Sequence, residues 1–249
     1  MIKWIVTALF LLLMQPYSVF AESNDAQTGY FTMSGSLNSI LGEDEAKSFV
    51  DLIDPNTMIT WEIDVPENYD PANPPGVMVY VSPQNSVNIP NGWLEITRNR
   101  NLIFIGARES GNKVQADNRI VMSVMALPLI QKTYKINTNR IYISGFSGGG
   151  RIASIVSTKF PHIFNGALYN CGANFWEDVN DQRLNLIKSH NYVFLTGTKD
   201  FNLDDTKNVY AKYKKAGVNK IKLMVIPRMG HSNPKKSQFE NALQFLDER

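Results

Sequence analysis

The 249-residue chain has a single cysteine, Cys171, so no disulfide can form within it. Its stability must therefore come from a buried core, and 43% of its residues are apolar, as in globular proteins with a full core. Cys171 ends an apolar run, where a small buried hydrophobic residue is a better interpretation than a reactive thiol.

The chain also lacks an excess of either charge, with 25 Lys and Arg residues against 23 Asp and Glu residues. It contains no block of like charge, no internal repeat and no low-complexity tract. This balance excludes the basic surface that nucleic-acid binding requires, so we expect no nucleic-acid partner.

Long apolar runs are absent except at the N-terminus. Lys3 precedes an apolar run over residues 4–14, Pro16 interrupts the segment, and Val19-Phe20-Ala21 has small side chains where a signal peptidase reads them. The pattern predicts a signal peptide over residues 1–21 and an exported protein, periplasmic or secreted. The alternative is a membrane anchor, but the run is shorter than the ~20 apolar residues of a membrane span. We therefore expect no membrane contact in the mature form.

The remaining sequence divides into a lead-in and one domain. Residues 22–57 are interpreted as an N-terminal lead-in, whose first part is polar with little periodicity. Apolar strands are predicted at 58–70, 76–82, 101–107, 140–145, 164–172, 192–200 and 220–231. Helical patterns are predicted at 118–134, 150–160, 179–189, 205–217 and 237–248. This alternation predicts a single α/β domain over residues 58–249, with a mostly parallel sheet and helices on both faces.

The motif Gly145-Phe146-Ser147-Gly148-Gly149 joins a predicted strand to a predicted helix. A serine hydroxyl is a weak nucleophile, and a sharp strand-to-helix turn is one way to expose it to a base. Gly145 and Gly149 lack a Cβ atom, so the chain can close tightly around Ser147. The motif predicts that Ser147 is a nucleophile at an elbow.

Two further polar residues follow later strands of the same sheet. Asp200 ends the segment at 192–200, and His231 ends the segment at 220–231, which holds a strand and the loop after it. Because ligands bind at the carboxyl ends of parallel strands, we expect Ser147, Asp200 and His231 to meet there. Their order matches a triad in which histidine takes the serine proton and the carboxylate orients the imidazole.

Alternatives exist for the base and for the acid. His162 is interpreted as a surface or packing residue, and His190 precedes a strand, at the opposite edge of the sheet. Four other aspartates follow the relevant strands, and they remain alternatives to Asp200: Asp204, Asp205, Asp178 and Asp181. The first two of these resemble the first turn of a helix, which favours carboxylates.

A tetrahedral intermediate also needs donors for its oxyanion. Gly148 follows the nucleophile, and its N–H can face the developing charge. The second donor is expected from the loop after the strand at 76–82. Pro83 has no N–H, so the prediction is the backbone N–H of Gln84.

The segments YISGFSGGGRIAS, FLTGTKDFN and PRMGHSNP resemble the nucleophile, acid and base regions of the α/β-hydrolase superfamily. More narrowly, they resemble exported esterases related to polyhydroxybutyrate depolymerases and feruloyl esterases, over about residues 58–249. One departure from that family is Ser82-Pro83, where the family usually has His-Gly.

The resemblance implies ester hydrolysis through a serine acyl-enzyme, with no metal and no organic cofactor. The segment between Gly172 and Tyr192 is too short for a large lid, so we expect an open cleft for small esters or for peripheral esters of a polymer. Four aromatic residues are proposed to line it: Phe146, Trp93, Phe175 and Trp176. Two alternatives stay open, namely a peptidase of the same fold and a catalytically impaired, hydrolase-like binding protein.

Overall fold

A computed structural model describes residues 26–248 of the chain. The predicted signal peptide at 1–21 lies outside these residues. No helix within residues 26–248 combines the length and the apolar character that crossing a membrane requires.

Eight strands form one sheet: β1 (Gly29–Gly35), β2 (Ile59–Val65), β3 (Gly76–Val81), β4 (Leu102–Ala107), β5 (Ile141–Phe146), β6 (Gly166–Asn170), β7 (Asn191–Gly197) and β8 (Ile221–Ile226). Their spatial order is β1-β2-β4-β3-β5-β6-β7-β8. β2 is antiparallel to both its neighbours, β1 and β4. The other six strands, β3 to β8, are parallel to one another. The predicted mostly parallel sheet is confirmed.

The helices of the described chain are α1 (Leu37–Leu41), α2 (Glu43–Ala46), α3 (Trp93–Asn99), α4 (Ala116–Gln131), α5 (Gly148–Lys159), α6 (Asp181–Ser189), α7 (Leu203–Lys215) and α8 (Lys236–Asp247). α3 and α8 cover one face of the sheet, and the other helices with buried apolar residues cover the opposite face. The prediction of helices on both faces is therefore confirmed.

The central strands are buried on both sides because successive side chains point to opposite faces. In β3, Val77, Val79 and Val81 pack into the larger core, whereas Met78 and Tyr80 pack beneath α3 and α8. This explains why the central strands read as continuous apolar runs rather than as alternating patterns.

Part of the expected lead-in belongs to the domain. Gly29–Gly35 pairs with Ile59–Val65 in an antiparallel register, and Leu37 and Phe49 are buried in the core. β1 is an edge strand whose residues alternate between partial burial and exposure, so its sequence carries no strong apolar signal. The domain therefore begins near residue 29 and not at residue 58.

Candidate active site

The predicted nucleophile elbow lies where β5 runs into α5. Ser147 has φ +54° and ψ −119°, a backbone conformation that costs an L-residue about 1–3 kcal/mol. Its N–H donates to the carbonyl of Asn170 at 2.8 Å, which holds the turn against β6. A Cβ atom on Gly145 would lie 2.3 Å from the carbonyl of Gly149, so the chain crosses itself too closely for any side chain there. Ser147 is partly exposed at the top of this turn.

The histidine lies on the loop that follows β8, and hydrogen bonds from neighbouring segments anchor this loop. The N–H of Lys199 donates to the carbonyl of Met229 at 2.9 Å, the thiol of Cys171 to the carbonyl of Ser232 at 3.4 Å, and Trp93 Nε1 to the carbonyl of Pro234 at 3.3 Å. These contacts reach the loop from β7, β6 and α3 and hold His231 between them.

Ser147, His231 and Asp200 form one continuous hydrogen-bonded chain. His231 Nε2 lies 2.8 Å from Ser147 Oγ, and His231 Nδ1 lies 2.8 Å from Asp200 Oδ1. With the proton on Nδ1, His231 donates to the carboxylate and leaves Nε2 free to accept the serine proton. The structure thus brings together the three residues that the sequence placed at separate strand ends.

The Asp200 carboxylate is buried and surrounded by donors. Oδ1 also accepts from the N–H of Asn202 at 3.0 Å, and Oδ2 accepts from Thr196 Oγ1 at 2.7 Å. Burial alone would raise the pKa of Asp200, but hydrogen bonds, among them one from Cys171, hold it below its usual value. The surroundings of Asp200 therefore favour the charged carboxylate beside His231.

Cys171 is buried, as the sequence predicted, and it also contacts the acid. Its thiol, His231 and Asp200 place their ligand-type atoms within 4.8 Å of one another, which is the spacing of a metal-binding group. Burial, and then the neighbouring Asp200, raise the pKa of Cys171, so the thiol keeps its proton and acts as a donor. The three side chains are thus already engaged in hydrogen bonds within the protein.

The alternative acids and bases lie elsewhere. Asp204 and Asp205 are exposed in the first turn of α7, and Asp205 pairs with Arg151 at 2.9 Å. Asp181 is in the first turn of α6. His190 follows α6 at the start of β7, so it lies at the opposite edge of the sheet from Ser147, as expected.

The predicted oxyanion donors differ in outcome. Gly148 is the first residue of α5, where backbone N–H groups have no partner within the helix. The N–H of Gln84 instead donates to Ser82 Oγ at 3.1 Å, because the serine side chain folds back over the turn at Pro83. The prediction of Gln84 as the second donor is therefore not supported.

Of the four predicted lining residues, Phe146 lies beside the site, with its ring centroid 4.9 Å from that of His231. Trp93 is fully buried and stacks on Phe239 at 3.7 Å, so it cannot line the cleft. Phe175 and Trp176 stack on each other and pack on Tyr213. The only secondary structure between β6 and β7 is α6, which leaves no separate lid.

Sequence reasoning missed Phe201, which directly follows the acid. Its ring stacks on the imidazole of His231 with a centroid distance of 4.0 Å, yet 78% of the residue is exposed. A large aromatic side chain left open to solvent beside a base offers an apolar surface to a ligand. Its position next to Asp200 in sequence was the one available signal.

Several solved structures are similar to this architecture. A hydrolase of S-formylglutathione from Staphylococcus aureus superposes with a TM-score of 0.61 at 12% identity, covering 89% of this chain and 96% of the other. The feruloyl esterase module from Clostridium thermocellum, an S954A mutant complexed with sinapinate, gives 0.60 at 12% identity, covering 91% and 93%. Dipeptidyl peptidase 4 from Porphyromonas gingivalis gives 0.58 at 16% identity, where 78% of this chain covers 34% of the other, so this chain spans about a third of that protein.

These similarities confirm at the level of fold the resemblance inferred from the sequence: the chain has the α/β-hydrolase fold. No protein-family model matches the sequence, and no curated protein matches it.

Proposed function

We propose that this protein is a serine hydrolase that cleaves carboxylic esters through an acyl-enzyme intermediate. The observation that carries the proposal is the continuous chain from Asp200 through His231 to Ser147, with two links of 2.8 Å. A strained, partly exposed serine at the N-terminus of α5 completes it. A protein that only binds a ligand has no use for all of these features.

The geometry supports the following sequence of steps. Ser147 Oγ attacks the ester carbonyl carbon while its proton moves to His231 Nε2. Asp200 stabilises the imidazolium that forms, and the N–H of Gly148 faces the oxyanion. His231 then gives the proton to the departing alkoxide, which breaks the C–O bond and leaves an acyl group on Ser147. A water molecule, deprotonated by His231, releases the acid and restores the serine.

An ester with an apolar or aromatic group fits the surroundings of the triad. Phe201 and Phe146 both contact the imidazole of His231, and Phe201 is largely exposed. The short connection over α6 leaves the cleft open, which suits small esters or ester groups on the surface of a polymer. Two solved structures of similar fold and nearly the same length are described as a hydrolase of S-formylglutathione and a feruloyl esterase module.

A fluorophosphonate probe tests the proposal, because it labels only an activated serine. We expect the wild-type protein to be labelled and to hydrolyse p-nitrophenyl acetate, and Ser147→Ala to lose both properties. Ser86→Ala is a matched control, since Ser86 is exposed and lies outside the triad. Absence of labelling in the wild type would refute the enzyme hypothesis.

A peptidase is the second candidate, because the same triad cleaves amides and Porphyromonas gingivalis dipeptidyl peptidase 4 shares the fold. Hydrolysis of peptide p-nitroanilides at a higher kcat/KM than matched esters would favour the peptidase.

A further inference from the structure

The oxyanion of the proposed reaction needs a second donor, and neither Pro83 nor Gln84 in the loop after β3 is free to supply it. Pro83 has no N–H, and the N–H of Gln84 is occupied by Ser82 Oγ at 3.1 Å. Removing one donor from an oxyanion hole typically lowers kcat by about 10²–10³-fold, so a single donor at Gly148 would be a weak arrangement.

The side chain of Asn112 lies against Gly148. A Cβ atom built on Gly148 would be 2.1 Å from Asn112 Oδ1 and 3.0 Å from Nδ2, so only glycine leaves room for this contact. The backbone N–H of Asn112 donates to the carbonyl of Pro83 at 2.9 Å, which fastens its loop to the end of β3. The amide therefore sits beside the residue whose N–H is the first donor.

Arg119 orients this amide. Its Nη1 donates to Asn112 Oδ1 at 3.3 Å, and its Nη2 donates to the carbonyl of Ser82 at 3.0 Å. The oxygen end of the amide thus faces the guanidinium, and Nδ2 is the opposite end. Among residues 26–248, Nδ2 makes no hydrogen bond, and Asn112 is exposed to solvent.

Arg119 itself is unusual because it is only 4% exposed. No carboxylate of the described chain lies within ion-pair distance of it, and its Nε has no partner there. Burial lowers the pKa of Arg119 to about 10, which leaves the guanidinium charged at neutral pH. A buried, unpaired cation costs free energy, and here it lies within hydrogen-bond distance of the amide that packs on Gly148.

We propose that Asn112 is a catalytic residue whose Nδ2 donates the second hydrogen bond to the oxyanion, and that Arg119 is the residue that positions it. This inference rests on the proposed serine-hydrolase function. It replaces the expected backbone donor with a side chain from the loop between β4 and α4.

The test measures kcat and KM for p-nitrophenyl acetate in the wild type, N112A and N112D, with K113A as the control in the same exposed loop. We expect kcat to fall by about 10²-fold or more in N112A with KM changed by less than about threefold, because the lost bond forms only in the transition state. K113A should match the wild type.

N112D separates a donor from a structural role. Aspartate keeps the shape of asparagine and can pair with Arg119, so a structural role predicts retained activity and retained thermal stability. A donor role predicts that N112D folds but loses at least as much kcat as N112A, since a carboxylate cannot donate and repels the oxyanion. R119K should lower kcat at unchanged KM, by less than N112A does.

Three failures are distinguishable. A wild-type protein that is not labelled by the fluorophosphonate and does not hydrolyse the ester overturns the proposed function and this inference with it. An active wild type, with N112A and N112D both within threefold of its kcat, overturns the role of Asn112 alone. A wild-type kcat in R119K overturns the positioning role of Arg119.

Discussion

Replacement of Asp200 by asparagine removes one charge from the triad and changes almost no volume. Oδ1 accepts from two N–H groups, those of His231 at 2.8 Å and Asn202 at 3.0 Å. Oδ2 accepts from Thr196 Oγ1 at 2.7 Å, and a hydroxyl can also act as an acceptor. The asparagine amide should therefore keep its oxygen toward His231 and turn its NH2 group toward Thr196.

In that orientation the tautomer of His231 is preserved, and only the attraction between the carboxylate and the imidazolium is lost. Two unit charges about 4 Å apart interact by about 4 kcal/mol at an effective dielectric constant of about 20. This free energy corresponds to about a 10³-fold lower kcat. The loss is smaller than the ~10⁴-fold loss seen where asparagine forces the wrong tautomer.

The assay is steady-state hydrolysis of p-nitrophenyl acetate by Asp200→Asn, after circular dichroism has shown that the variant is folded. Asp204→Asn is the matched control, because Asp204 is an exposed carboxylate in the first turn of α7. An Asp200→Asn variant within threefold of the wild-type kcat, or an equal loss in Asp204→Asn, would refute the assignment of the acid. A loss of 10⁴-fold or more would refute the predicted amide orientation.

Two further predictions concern stability. Gly149→Ala should lower the free energy of unfolding, measured in urea, by about 1–3 kcal/mol, because the new Cβ would lie 1.9 Å from the carbonyl oxygen of Val81. Gly230→Ala is the control, since its Cβ would meet no atom within 4 Å, and equal effects of the two substitutions would contradict the prediction. Burial, and then Lys220, lower the pKa of His190 from 6.5 to about 4. Between these values the unfolded chain binds a proton that the folded chain does not, so stability falls as the pH falls from about 6.5 to 4, by up to about 3 kcal/mol. His190→Gln should flatten this slope in pH-dependent thermal unfolding, and an unchanged slope would count against it.

Most of the sheet was predictable because its strands are buried on both faces. The segments around Val79, Ile105, Ile143 and Phe194 contain uninterrupted apolar runs, and the structure buries each of them. Such runs need no knowledge of the partner strand, since burial on both sides demands apolar residues everywhere. β1 was missed because an edge strand is stabilised by its pairing with β2, which its own sequence does not encode.

Within the site, a residue could be predicted from the sequence when its position after a strand indicated where it would lie. Ser147, Asp200 and His231 each lie just after the end of a strand in the parallel part of the sheet, so their meeting could be predicted from chain order. Trp93 could not be placed in this way, because an aromatic residue after a loop suits both a cleft and a core. Arg119 begins the apolar stretch of α4, and a charged side chain at that position is the sequence feature that distinguishes it.

The order of residues along the chain was enough to predict the α/β architecture and to predict that Ser147, Asp200 and His231 meet at one edge of the sheet, because periodicity and strand direction act locally. The direction of each polar group was settled only by packing. The Ser82 side chain accepts the N–H of Gln84 within its own turn, whereas Arg119 of α4 joins the amide of Asn112 to the carbonyl of Ser82, at the end of β3. That second contact links two segments that are distant in sequence and come together only when the sheet assembles. A hydrogen bond forms only within a narrow range of donor–acceptor distances and angles. Only the folded backbone places donor and acceptor atoms within that range.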